Sequence, residues 1–394
     1  MTASSVEALQ QQRTASEALD EVTRTARRSS MRRSTKRRRC LPNERYNYGR
    51  GAREYTVKQL RVAFIGCGGI ATQQHAPAYR KLPQVEIIAA CDIVAEKAQS
   101  FAQTFGCRTY TDYQEMLQRE RPDIVDVCTR EHQHVEPVVA ALEAGSHVLC
   151  EKIMAHTLAG GQAMLAAAER SGRLLGIDYN YRFFPIFARL KELIDGGALG
   201  EIALLNCYAH AFCFHHAVDL LRWLGGSVTE VSGQYTATVN PKYHFPVQCP
   251  DFVYVPSRNA ALTMRFAGDA LGSITASRFE DLRVNMLRVD VVGERGRLTA
   301  DGITTQDIMG RLERTPGHEA IDYYDGAERG FNVAFERSIR AFVEKAQGAD
   351  TPAATGRDGY AVLEIERALV LAPAEQCVVA LTEFTHATQG GARG

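Results

Sequence analysis

The run Leu60-Arg-Val-Ala-Phe-Ile-Gly-Cys-Gly-Gly-Ile-Ala71 decides the fold. Leu60–Ile65 is a short apolar run of strand type, and the spacing predicts a helix from Thr72 to Lys81 behind the glycines. A strand, a glycine turn and a helix form the setting in which a G-x-G-x-x-G/A pattern has a physical meaning. Gly66 permits the tight turn, Gly68 lets a pyrophosphate approach the backbone, and Ala71 is small enough for close helix–strand packing. The helix then turns its free N–H groups toward the phosphates.

Outward from this turn, Val85–Cys91 reads as a second buried parallel strand ending at Asp92. A dinucleotide fold places there the carboxylate that accepts hydrogen bonds from the adenosine ribose. A carboxylate repels a 2′-phosphate, and Ile93 and Val94 follow where an arginine would be needed, so NAD is expected over NADP. Capping of a helix at Ala95–Phe105 is a second task that Asp92 could combine with this one. The alternation continues with strands at Arg108–Tyr110, Asp123–Cys128, Ser146–Cys150 and Leu174–Asp178. Helices are expected between them at Tyr113–Arg119, Val135–Ala144 and Leu158–Ser171.

The run Ala141-Leu-Glu-Ala-Gly-Ser-His-Val-Leu-Cys-Glu-Lys152, between the glycine turn and Tyr179-Asn-Tyr-Arg-Phe183, resembles the Gfo/Idh/MocA oxidoreductase family from about Leu60 to Leu381. The resemblance implies a Rossmann domain over residues 59–180 and a substrate-binding and oligomerisation α/β domain over 181–381. The resemblance also implies an open, mostly antiparallel sheet in the second domain, where strands are legible at Glu201–Ala211, Thr229–Val239, Asn259–Phe266, Ala270–Phe279 and Asn285–Gly293. Its expected helices are Pro185–Asp195, Gly330–Gln347 and Gly359–Glu375. The cofactor side implied by the resemblance comprises Gly66, Cys67, Gly68, Gly69 and Ile70, then Asp92 and Ile93. Thr129, His134, Glu151, Lys152 and Arg182 complete it. The substrate side comprises Lys152, Asn180, His215, His216 and Asp219.

The family pattern D-x-G-x-H-x-x-D is altered here to Phe212-Cys-Phe-His-His-Ala-Val-Asp219: His216 and Asp219 match, while Phe212 replaces the first Asp and Phe214 the Gly. Ile153 and Arg130 stand where the family has prolines that help shape the nicotinamide pocket, and the loop before Phe212 is short. Oxidising an alcohol by hydride transfer needs a base for the hydroxyl proton and a cation for the developing alkoxide. Lys152, at a strand end beside the cofactor, suits the cation, and His216 suits the base. His210, His215, His216 and Asp219 lie close in sequence but match no standard ligand spacing, so no metal is expected.

The remaining composition is that of a globular protein: 45% of the 394 residues are hydrophobic and 23% charged. Ten cysteines are scattered without a C-x-x-C pair, which fits reduced thiols in a cytoplasmic protein. The net charge is zero, but about a dozen basic residues crowd between Arg24 and Arg53. Residues 1–58 show no sustained apolar period and are expected to form a solvated tail, or to include residues ahead of a start at Met31; 382–394 form a second tail. No nucleic acid or membrane partner is expected, and a homo-oligomer, dimer or tetramer, is.

The reading is an NAD-dependent dehydrogenase or reductase for a hydroxyl or keto group of a sugar, cyclitol or glycosylated small molecule. The alternatives are an NAD-retaining epimerase or lyase, and a nucleotide-binding sensor or subunit without turnover. Removing Met1–Glu54 should leave folding and cofactor affinity unchanged, because that stretch offers no core-forming pattern. A large fall in melting temperature of the truncated protein would refute this.

Overall fold

The structure, a computed structural model, describes residues 59–237, 257–315, 319–321, 330–375 and 378–381. These belong to one compact unit, and the two expected tails lie outside the described residues. Among the described residues no helix is long and apolar enough to cross a membrane.

The first sheet contains β1 (Leu60–Ile65), β2 (Val85–Cys91), β3 (Arg108–Tyr110), β4 (Ile124–Val127), β5 (His147–Cys150) and β6 (Leu175–Ile177). They pair in the order β3-β2-β1-β4-β5-β6, every pair parallel. Both faces are covered, so β4 is buried along its whole length, as parallel strands require. The order reverses between β1 and β4, which opens a crevice at their carboxyl ends, where doubly wound sheets take ligands.

The helix expected at Thr72–Lys81 is not a single regular helix. A π-helical turn, Ala71–His75, runs into a short α1 (Ala76–Tyr79). Pro77 has no N–H for the regular ladder, and the wider turn directs His75 fully into the interior. The other helices of this layer are α2 (Ala95–Phe105), α3 (Tyr113–Glu120), α4 (Val135–Glu143) and α5 (Leu158–Ser171).

After α6 (Pro185–Asp195), strand β7 (Ile202–His210) leads to α7 (Phe214–Gly225). The second sheet also holds β8 (Val228–Ala237), β9 (Ser257–Phe266), β10 (Leu271–Ser277) and β11 (Leu287–Gly293). It is completed by β12 (Gly296–Ile303), β13 (Arg311–Thr315), β14 (Glu319–Ile321) and, close to the C-terminus, β15 (Val379–Ala380). The order is β14-β13-β12-β11-β7-β10-β9-β8-β15, with only the β7–β10 pair parallel. The open, mostly antiparallel sheet is therefore present, with β12 to β15 beyond the expected strands.

Two long helices, α8 (Asn332–Ala346) and α9 (Gly356–Glu375), tie the layers together. Ile339, Phe342 and Val343 of α8 share a core with Val62, Phe64 and Leu149 of the first sheet. Gly176 in β6 makes room for this: a Cβ there would lie 2.6 Å from Phe342 Cδ2. Although α8 comes late in the chain, it covers the nucleotide-type sheet. Phe342→Ala should therefore cost about 3–5 kcal/mol in denaturant unfolding and weaken nucleotide binding with it. Unchanged stability would show that α8 does not belong to this core.

Candidate active site

The glycine turn has the shape a phosphate cradle needs. Gly66 has φ +93°, and a Cβ on it would lie 2.8 Å from the Cys128 carbonyl carbon and from Thr129 N. Above Gly68 the space is open, with no atom within 4 Å of an added Cβ. Asp92 accepts the Cys67 N–H through Oδ2 and the Val94 N–H through Oδ1, both at 2.9 Å. Helix α2 begins after Val94 without a side-chain cap, so the expected capping role of Asp92 is not realised. Each Asp92 oxygen keeps a further lone pair, and the neighbouring Ile93 is 82% exposed. An open glycine backbone, an acceptor and an exposed apolar side chain fit a dinucleotide.

At the end of β5 the chain reaches Glu151 and Lys152. Beneath them His75 is completely buried, with Nδ1 2.9 Å from Asp126 Oδ2 and Nε2 3.0 Å from Glu151 Oε1. Asp178 Oδ2 lies 3.4 Å from the same Nε2, close enough for charge attraction, while its Oδ1 accepts the Ser338 hydroxyl. Burial opposes a charge on His75, but the Asp126 carboxylate and the hydrogen bonds hold its pKa well above the ordinary range. Burial pushes Asp178 up; Glu151, likewise buried, is held down by the His75 hydrogen bond and the Lys152 charge.

The other oxygen of Glu151 accepts the Lys152 N–H at 3.0 Å. Glu151 therefore faces the interior, not the cofactor side on which it was expected. His134 is corrected in the same way. Fully buried and held toward neutrality by burial, it places Nδ1 2.9 Å from the Ile153 carbonyl and Nε2 3.2 Å from that of Thr129, and a neutral ring donates to one of the two, the shorter contact being to Ile153. Thr129 itself stands at the end of β4, half-buried beside the Gly66 turn.

Arg182 and Asp219 also depart from expectation. They form a buried two-pronged pair, Nε to Oδ2 at 2.7 Å and Nη2 to Oδ1 at 2.5 Å, with Asp358 3.2 Å from the guanidinium. Burial raises Asp219, yet two charge-assisted hydrogen bonds make it the anionic partner. With Asp358 the pair links the Asn180–Phe183 turn, α7 and α9, so these side chains are engaged in holding elements together. His215 turns its Nδ1 to Glu366 of α9.

His216 stays at the site. It stacks on Tyr181 with ring centres 3.8 Å apart, and its buried Nδ1 has no partner. Burial first, then the Lys152 and His215 charges, hold it well below the ordinary histidine range, so it is neutral at physiological pH. Asn180, next to Tyr181 in the chain, is buried with Oδ1 unpartnered. The half-buried Lys152 points its ammonium at the face of Phe212, 5.3 Å from the ring centre, and that ring is 57% exposed.

Sequence reading missed His75, Asp126 and Asp178, which meet only once three strand ends and the π turn are assembled. One signal was available: Asp126 interrupts the apolar strand Ile124–Val127 with a charge. Phe212 was noted as a missing carboxylate and not as a partner for Lys152.

Comparison with known proteins agrees with this architecture. Residues 60–179 match the family described as oxidoreductase family, NAD-binding Rossmann fold, and residues 212–381 match its C-terminal alpha/beta domain. The chain is 37% identical over 159 residues to D-glucoside 3-dehydrogenase of Escherichia coli, covering 40% of this chain and 45% of that protein. It is 24% identical over 324 residues to myo-inositol 2-dehydrogenase of Thermotoga maritima, covering 77% of this chain and 93% of that protein. Levoglucosan dehydrogenase, solved in complex with NADH, superposes with a TM-score of 0.71 at 22% identity, covering 82% of this chain and 99% of that one. The match to the glucoside dehydrogenase spans less than half of that protein's length, whereas both family regions are represented here in order and on the expected sheets. The chain belongs to the Gfo/Idh/MocA oxidoreductase family, with its NAD-binding Rossmann domain and its C-terminal α/β domain.

Proposed function

We propose that the protein is an NAD-dependent oxidoreductase acting on a hydroxyl or keto group of a sugar, cyclitol or glycosylated small molecule. The observation that carries this reading is Lys152, a primary amine at the sheet's carboxyl edge whose flanking residues are both anchored by buried histidines. The named relatives act on polyol rings, which supports the substrate class. The free cysteines among the described residues support a cytoplasmic setting. Leu204, Tyr208 and Leu271, exposed on the second sheet, support a homo-oligomer.

In this reading the Gly66–Ile70 backbone holds the pyrophosphate, and Asp92 accepts from the adenosine ribose. NAD supplies the hydride acceptor. Lys152 holds or takes the proton at the substrate oxygen and steadies the charge developing there. His216 is a neutral imidazole with a depressed pKa, hence a weak proton acceptor that serves better to orient a hydroxyl. Phe212 contributes an apolar wall beside the amine and leaves the ammonium hydrogens to the substrate.

NAD(H) should bind far more tightly than NADP(H), and Asp92→Ala should narrow the gap. Fluorescence titrations giving equal affinities, or an NADP preference unaffected by Asp92→Ala, would refute the role of Asp92. Lys152→Ala should lower kcat by about 10²–10⁴ with NAD affinity nearly intact, and His216→Ala should cost less. Because burial keeps His216 neutral, kcat/KM should show no limb from it near pH 6.5. Near-normal turnover of Lys152→Ala on the true substrate would overturn the assignment.

A further inference from the structure

We infer that His75 is a positioning residue for Lys152, acting through the Glu151 carboxylate. The inference rests on the catalytic role proposed for Lys152 and adds a residue far from any ligand surface. Both nitrogens of His75 face carboxylate oxygens, Asp126 at 2.9 Å and Glu151 at 3.0 Å, and a ring with a hydrogen on each nitrogen donates to both. Glu151 is divided between two donors: Oε1 takes the His75 N–H, and Oε2 takes the Lys152 backbone N–H. A rotation of Glu151 that favours one bond breaks the other, so the imidazole fixes where the Lys152 backbone sits.

The imidazole is itself held on every side. The π turn Ala71–His75 carries it inward, Asp126 fixes Nδ1, and Phe335 packs on the ring at 5.4 Å between centres. Asp178 closes the remaining side, secured by Ser338 from α8. A buried cluster of this kind contributes little net stability compared with well-packed apolar side chains. Its location directly beneath Lys152 therefore points to geometry as its task. The two carboxamide variants separate the roles. Glutamine reaches as far as Nε2 and can still donate to Glu151, whereas asparagine reaches only as far as Nδ1 and donates to Asp126 alone.

The test compares His75→Asn with His75→Gln, each alone and combined with Lys152→Ala. Measured are kcat, NADH affinity by fluorescence, and melting temperature. A displacement on the order of 1 Å at a catalytic group costs up to ~10²-fold. His75→Asn should accordingly lower kcat by about 10-fold or more, and His75→Gln by about threefold or less. Melting temperatures and NADH affinities of the two variants should be similar. In the Lys152→Ala background the His75→Asn penalty should shrink to under about twofold, since residues acting as a unit are not additive. Equal kcat losses for both variants, or a His75→Asn penalty that persists without Lys152, would overturn the inference while leaving the catalytic reading intact. Full turnover in Lys152→Ala alone would instead refute the catalytic reading and remove the object of the inference. If His75→Asn does not fold, Glu151→Gln replaces it, because its amide can serve His75 or the Lys152 N–H but not both in the same way. The same kcat loss and the same non-additivity are then expected, and a Glu151→Gln enzyme with normal kcat overturns the inference.

Discussion

One buried imidazole sets the order of the sheet's working edge. His75 brings Asp126 of β4, Glu151 at the end of β5 and Asp178 at the end of β6 to a single buried point. Three carboxylates at that depth would repel one another and be costly to bury. With a doubly donating imidazole among them they become a clamp across three neighbouring strands. Everything at the crevice between β1 and the β4–β6 half is measured from that clamp. The Thr129 end of β4 closes against Gly66, and the β5 end presents Lys152.

The arrangement around Lys152 follows from this. Glu151 is anchored by His75 on one side, and the Ile153 carbonyl meets His134 on the other. The two histidines have opposite charge states for physical reasons. His75 faces carboxylates, which favour its second proton, while His134 lies between neutral carbonyls, is held toward neutrality by burial and donates to one of them. Between them a flexible four-carbon side chain starts from a backbone with little freedom, which is what a proton-handling amine requires. The family prolines are replaced by Ile153 and Arg130 here, and hydrogen bonding to Ile153 O supplies part of the constraint that a ring would give.

Much of the fold was legible because its signals are local. The apolar strands Leu60–Ile65 and Val85–Cys91, the glycine turn and Asp92 all lie within a few turns of chain. Strands β12 to β14 were not legible: Arg311–Thr315 carries three charges in five residues, and a strand near a sheet edge does not need an apolar run. The site was legible where one residue type has one task, as at Gly66. It was misread where a polar residue sits near the site but is used by the interior, as with Arg182, Asp219, Glu151 and His134. Sequence proximity placed these beside the ligand; burial and pairing place them beneath or behind it. The contribution of α8 to the first core was invisible for a different reason, since Phe342 and Gly176 meet across more than 160 residues of chain.

The substitution of Phe212 for an aspartate changes what the proposed chemistry asks of Lys152. A carboxylate beside an ammonium would accept its hydrogens and could take a proton from it. An aromatic face attracts the positive charge through its quadrupole but accepts no proton and forms no directed hydrogen bond. In the proposed chemistry the nitrogen's hydrogens are then left for the substrate oxygen, and Lys152 in its neutral amine form is the first acceptor of the proton removed from an alcohol, becoming the ammonium that steadies the oxygen. His216 cannot share this equally, because burial and the Lys152 charge together oppose its protonation. The exposed ring also offers an apolar surface to whatever lies against it, which suits the C–H face of a sugar ring or an attached aglycone better than it suits another anion. In the proposed chemistry the departure from the family pattern thus concentrates proton handling on one amine and moves the adjoining wall from charged to apolar.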